Sequence, residues 1–164
     1  GRSEQLVGRA LQQIDRSRRP LVATKCGRIF QPNGDIIGCL KRSSLVAECE
    51  ASLRRLQVEA IDLYQIHWPD PDEELEQAWE TLAELVRQGK VRYIGVSNCT
   101  VSQLSRLQAI HPPASLQPPY NMLDRQIAAK RRKSVRPADP PPARCGGLTR
   151  RHRQLALAPT FAAL

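Results

Sequence analysis

Apolar positions along the first 125 residues switch repeatedly between two periods. Leu6, Val7, Ala10, Leu11 and Ile14 recur at helical spacing, and Leu21-Val22-Ala23-Thr24 then reads as a short buried strand. A Gly-, Pro- and Asn-bearing stretch from Gly27 to Gly38 predicts a long loop. Ser43 or Ser44 can cap the next helix, whose inner face is Leu45, Cys49, Leu53 and Leu56. Ala60 to Ile66 is a second strand. The acidic run Asp70-Pro71-Asp72-Glu73-Glu74 then suits a helix start, where the backbone dipole favours negative charge. Leu75, Ala78, Trp79, Leu82, Leu85 and Val86 form that helix's apolar stripe, and Gly89 stands where a left-handed cap is expected. Tyr93-Ile94-Gly95-Val96 is the third strand. Thr100 with Gln103 makes a capping box for a helix through Ile110, and Ala114-Ser115-Leu116 begins a fourth strand.

Short apolar strands separated by helices predict right-handed βαβ units and a parallel α/β sheet. An open doubly wound sheet and a barrel both satisfy that pattern. No G-x-G-x-x-G follows any strand, so the Rossmann dinucleotide fingerprint has no support.

Each strand runs into polar side chains. Lys25 follows the first, His67 the second, Ser97 and Asn98 the third and Gln117 the fourth. In a parallel barrel the carboxyl ends of the strands form one rim, so these five groups would converge on a shared mouth. Singly, each has a plain structural reading: a solvated lysine, a satisfied histidine, turn residues, a loop glutamine. Their common phase with four strand ends favours the shared site.

Charge changes the picture only at the end of the chain. The net charge is +9. Residues 1–125 carry 16 Lys or Arg against 15 Asp or Glu, a net of +1; residues 126–164 carry 9 against one, Asp139, a net of +8. The basic character therefore belongs to the tail. The tail has little helical or strand period, and Phe161 is its one aromatic. Of its 39 residues, 22 are Arg, Pro, Ala or Gly, the bias a GC-rich coding sequence yields out of frame. The competing expectation is a disordered basic arm that binds an anionic surface or nucleic acid, although it lacks interleaved aromatics.

Five cysteines show no C-x-x-C pair, so zinc and disulfide frameworks are not indicated. No run approaches the roughly 20 apolar residues of a membrane helix, and the expectation is a soluble, cytoplasmic chain.

Several segments carry a family resemblance. Gly1-Arg2-Ser3-Glu4, Thr24-Lys25, Ser52-Leu53-Arg54-Arg55-Leu56, the run from Ile61 to Asp70 (IDLYQIHWPD), the run from Gly89 to Asn98 (GKVRYIGVSN) and Leu116-Gln117-Pro118-Pro119-Tyr120-Asn121 resemble the aldo-keto reductases, in that family's order. The resemblance covers residues 1–125, and nothing after Arg125 continues it.

It implies an α/β fold, a partial (β/α)8 TIM barrel of about four βα units, followed by a non-homologous tail. It also implies NADPH-dependent reduction of a small-molecule aldehyde or ketone carbonyl, in which a tyrosine donates the proton beside a lysine, an aspartate and a histidine. By motif match Lys25 is that lysine and His67 that histidine. Ser97, Asn98 and Gln117 match the residues that hydrogen-bond the nicotinamide carboxamide. Trp68 either lines the substrate pocket or packs at the loop edge. Asp62, inside a strand, is expected to be a structural ion-pair partner.

The family's aspartate and tyrosine fall just upstream of the segment that begins at Gly1. The chain is therefore expected to be a fragment without turnover of its own. Neither Tyr64 nor Tyr93 lies in the matching context. Two other readings compete: a catalytically silent redox-sensing or scaffold relative, and a protein dominated by its basic tail.

Overall fold

The computed structural model describes residues 1–119. The basic segment 126–164, Cys145 and the Tyr120-Asn121 end of the last motif lie outside the described residues.

Among the described residues, twelve short elements build one layered α/β unit. Four strands, β1 (Ala23–Cys26), β4 (Ile61–Ile66), β5 (Val91–Ser97) and β6 (Ser115–Gln117), form a parallel sheet in the order β1-β4-β5-β6. Helices α2 (Arg42–Leu56), α3 (Leu75–Arg87) and α4 (Val101–Ile110) connect successive strands of that sheet, and α1 (Arg2–Gln12) precedes it. This is the parallel α/β arrangement that the alternating periods predict.

The register assigns the two faces. Lys25 pairs with Gln65, Gln65 with Gly95, Gly95 with Ser115, and Ser97 with Gln117. Side chains alternate along a strand, so Ala23, Lys25, Leu63, Gln65, Tyr93, Ser97 and Gln117 share one face. Cys26, Tyr64, Ile66, Ile94 and Val96 take the other, and all five are buried with Leu45, Cys49 and Leu56 of α2 and Leu75, Trp79 and Leu82 of α3. The apolar core therefore lies between sheet and helices. At about 1.5–3 kcal/mol per buried large side chain, this layer holds the unit together.

Local chemistry sets the boundaries. The ladder begins at Ala23, two residues later than the apolar run from Leu21 predicts, because the Val22 amide donates to Asp62 Oδ2 at 2.9 Å. Helix α2 begins at Arg42 with Lys41 as its cap, not Ser43 or Ser44; Ser44 instead donates to Glu48 within the helix at 2.9 Å. The capping box at Thr100 and Gln103 is present. Gly89 has φ +74, and its N–H donates to the Val86 carbonyl, closing α3 in the left-handed conformation that favours glycine. Trp79 Nε1 donates to the His111 carbonyl at 2.9 Å, locking α3 onto the end of α4.

Two differences matter. The inner face of α1 is Glu4, Val7, Gly8 and Leu11, while Leu6 and Ala10 are exposed. A Cβ at Gly8 would run into the Arg55 carbonyl oxygen, so helices α1 and α2 meet backbone to backbone there. The second difference is the predicted loop from Gly27 to Gly38. It contains an antiparallel hairpin of β2 (Arg28–Phe30) and β3 (Ile36–Gly38). Its β-branched and aromatic residues, turning through Asn33-Gly34, were masked by the surrounding turn formers.

Candidate active site

Five side chains singled out by the sequence collect at the carboxyl end of the sheet. Lys25 is the third residue of β1, and Gly27, two residues on, turns the chain at φ +83. His67 directly follows β4, and its N–H donates to the Cys26 carbonyl at 3.0 Å. Ser97 and Gln117 close β5 and β6 as a register pair. Alternation along β4 puts His67 on the face of Gln65, and register puts Lys25 and Ser97 there too. Lys25 and His67 thus occupy the same end and the same side of neighbouring strands.

Asn98 laces the rim together. It takes a left-handed backbone, φ +58, which asparagine tolerates better than most residues. Its Nδ2 donates to the His67 carbonyl at 2.9 Å and to Ser97 Oγ at 3.1 Å, while its N–H donates to the Gln117 carbonyl at 3.2 Å. Ser97 Oγ donates to the same Gln117 carbonyl at 2.8 Å. One turn thereby fixes the ends of β4, β5 and β6 relative to each other. Among the described residues, Asn98 Oδ1 and the Gln117 side-chain amide have no hydrogen-bond partner. They offer an acceptor and an amide donor on one rim, complementary to a ligand carboxamide.

The electrostatics are those of a half-buried cationic mouth. Burial lowers the Lys25 pKa, and no described carboxylate forms an ion pair with it. Burial, then the charges of Lys25 and Arg28, lower the His67 pKa. A neutral imidazole is therefore favoured near neutrality. Such a group can direct a carbonyl oxygen, and the fixed ammonium can stabilise a developing anion.

Neither described tyrosine completes an acid–base pair there. Tyr64 lies on the helix side of the sheet, and burial, reinforced by Cys26, Cys49 and Glu48, pushes its pKa well up. Tyr93 shares the face of His67 but pairs with Leu63, four residues down the strand. Asp62 sits at the opposite end of β4, where it accepts from the Val22 amide and faces Arg92 Nε at 3.4 Å, an ion-pair role. Trp68 is 42% exposed beside His67, with the Arg28 guanidinium carbon 5.8 Å from its ring centre. Among the described residues no three His, Cys, Asp or Glu side chains gather as a metal site. Burial raises the Cys49 thiol to about 11 and the Cys99 thiol to about 12, so neither is a thiolate near neutrality.

The sequence missed the tier beneath the rim. Gln65, 4% exposed, donates from Nε2 to Ser115 Oγ at 3.1 Å, two strands away. The bond passes over Gly95, where a Cβ would collide with Ser115 Oγ. The signal was present: Gln65 precedes His67 by two, and a polar residue at that alternation inside an apolar strand faces the same side.

The family model for the aldo/keto reductase family matches residues 1–136. The aldo-keto reductase YhdN of Bacillus subtilis (strain 168) is 39% identical over 127 residues, covering 77% of this chain and 38% of that protein. The fission yeast Schizosaccharomyces pombe aldo-keto reductase yakc [NADP(+)] is 29% identical over 128 residues, with 77% and 38% covered. Among solved structures, the glycerol dehydrogenase AKR11B4 from Gluconobacter oxydans superposes with a TM-score of 0.72 at 37% identity, covering 77% of this chain and 39% of that one. The chain thus spans little more than a third of the length of these relatives. On its sequence, its parallel sheet and the ordered rim it builds, the chain belongs to the aldo/keto reductase family.

Proposed function

We propose that this chain supplies one side of an NADPH-dependent carbonyl reductase site: the lysine, the histidine and the strand ends that hold the nicotinamide. The observation that carries the reading is the placement of Lys25 and His67 on one face and one rim, close enough for the lysine charge to depress the imidazole. Without hydrogen-bond partners among the described residues, Asn98 Oδ1 and the Gln117 amide fit a carboxamide, and the bonds from Asn98 and Ser97 to the Gln117 carbonyl hold that strand end in place. Bound NADPH would supply the hydride. His67 would orient the carbonyl oxygen, and Lys25 would lower the pKa of a neighbouring phenol acting as proton donor. Neither Tyr64 nor Tyr93 is placed to be that donor, and we propose that the 164-residue chain binds without turning over. The name of the yeast relative, which carries NADP(+), supports the choice of cofactor.

The test is a titration of the isotopically labelled chain with NADPH, followed by nuclear magnetic resonance. The His67 ring and the side-chain amides of Asn98 and Gln117 should shift together, and Gln117→Ala should weaken the response. Shifts confined to other parts of the chain would overturn the reading. Consumption of NADPH with benzaldehyde should stay at background; measurable turnover would overturn the proposed inactivity.

A further inference from the structure

The hairpin β2–β3 grows directly from the lysine-bearing strand, and its two faces differ. Its register pairs Arg28 with Gly38 and Phe30 with Ile36, so Arg28, Phe30 and Ile36 share one face. That face is turned toward the loop after His67. A Cβ on Gly38 would strike the Asp70 carbonyl, and Arg28 lies over the Trp68 ring. Phe30 and Ile36 are 74% and 54% exposed. From behind, Glu48 accepts the Gly27 N–H at 2.9 Å and the Arg28 backbone, which fixes the hairpin's base.

Arg28 is held in place but weakly neutralised. Its ion-pair partner, Asp70, is 4.0 Å away with a side chain 67% exposed, a geometry worth little in water. Its charge also reaches His67. A guanidinium held over an aromatic ring by a cation–π contact can still make a planar, two-pronged bond to an oxyanion.

Resting on the reductase reading, we propose that Arg28 is a specificity residue. It selects carbonyl substrates bearing a second, anionic group, a carboxylate, while Phe30, Ile36 and Trp68 receive the apolar body. The carbonyl then lies toward His67 and Lys25, and the carboxylate toward the hairpin.

The test compares 4-carboxybenzaldehyde with benzaldehyde, read by quenching of tryptophan fluorescence in the full chain. Trp68 is exposed and Trp79 wholly buried, so the response reports the Trp68 loop. The carboxylated aldehyde should bind about tenfold more tightly, as one charge-assisted bond allows. The preference should shrink as salt is raised. Arg28→Gln should bring the two affinities together, and Arg28→Lys, which keeps the charge, should retain part of the gap. Equal binding by the unaltered chain, or a preference that survives Arg28→Gln, overturns the proposal. If benzaldehyde and NADPH still shift the His67 resonances in that case, the reductase reading stands and only the role of Arg28 falls. If neither aldehyde quenches and NADPH leaves His67 unmoved, both fall.

Discussion

His67 is governed by three influences of the same sign: its partial burial, Lys25 and Arg28. Each disfavours the imidazolium, so removing either cation should relieve part of the depression. Lys25→Met is expected to raise the His67 pKa, read from the ring-proton shifts against pH; an unchanged titration would mean that the ammonium points away from the imidazole. This pairing was legible in the chain because a polar residue follows an apolar strand twice at equivalent positions. Arg28 was not, since the stretch from Gly27 to Gly38 reads as a loop, and only the hairpin places Arg28 over Trp68. Gln65 was hidden similarly, inside a strand whose apolar neighbours drew attention to the other face.

At the level of elements, helices with a wide apolar stripe were read correctly and weakly patterned contacts were not. Helix α3 buries Leu75, Ala78, Trp79, Leu82 and Leu85 as the spacing predicts, while Val86 of the same stripe is half-buried and Thr81, outside the stripe, is buried. Helix α1 does not, because what decides its orientation is a missing side chain. Gly8 lets the α2 backbone at Arg55 and Leu56 come close, and a glycine contributes nothing to an apolar pattern. Gly8→Ala should therefore destabilise the chain by about 1–3 kcal/mol through overpacking, despite better intrinsic helix propensity. Urea unfolding checks this; a gain in stability would show that α1 can slide away from α2. The hairpin illustrates a different limit. Its strands are three residues each, too short for alternation to stand out from the turn residues around them.

Across the whole molecule, one polar network ties three elements. Glu4 of α1 accepts from Thr24 of β1 at 2.6 Å and from Arg55 of α2 at 2.6 Å. Burial raises the Glu4 pKa, but its hydrogen bonds from Thr24, Arg55 and Ser52 outweigh that and hold it below the ordinary glutamate value. A depressed carboxyl contributes stability above its unfolded pKa and loses it as pH falls through the folded one. His67, also depressed, adds a loss that begins at higher pH, as the solution passes below the ordinary imidazole value. Thermal melting should accordingly show two declines on acidification. Glu4→Gln should lower stability near neutrality and shrink the more acidic decline, to which Asp15, Glu50 and Asp72 also contribute, while leaving the His67 decline in place; a parallel curve at all pH values would remove Glu4 from this role.

The Gln65–Ser115 bond crosses β5 directly over Gly95, and only a strand bare of a side chain there leaves the corridor open. Drawing the outer two of three neighbouring strands together on one side bends the sheet toward that side, as a bowstring bends a bow. Curvature in that direction is the kind a closed barrel requires. Replacing Gly95 with valine would fill the corridor and flatten the stave, and amide exchange along β6 should quicken while α2 and α3 keep their protection.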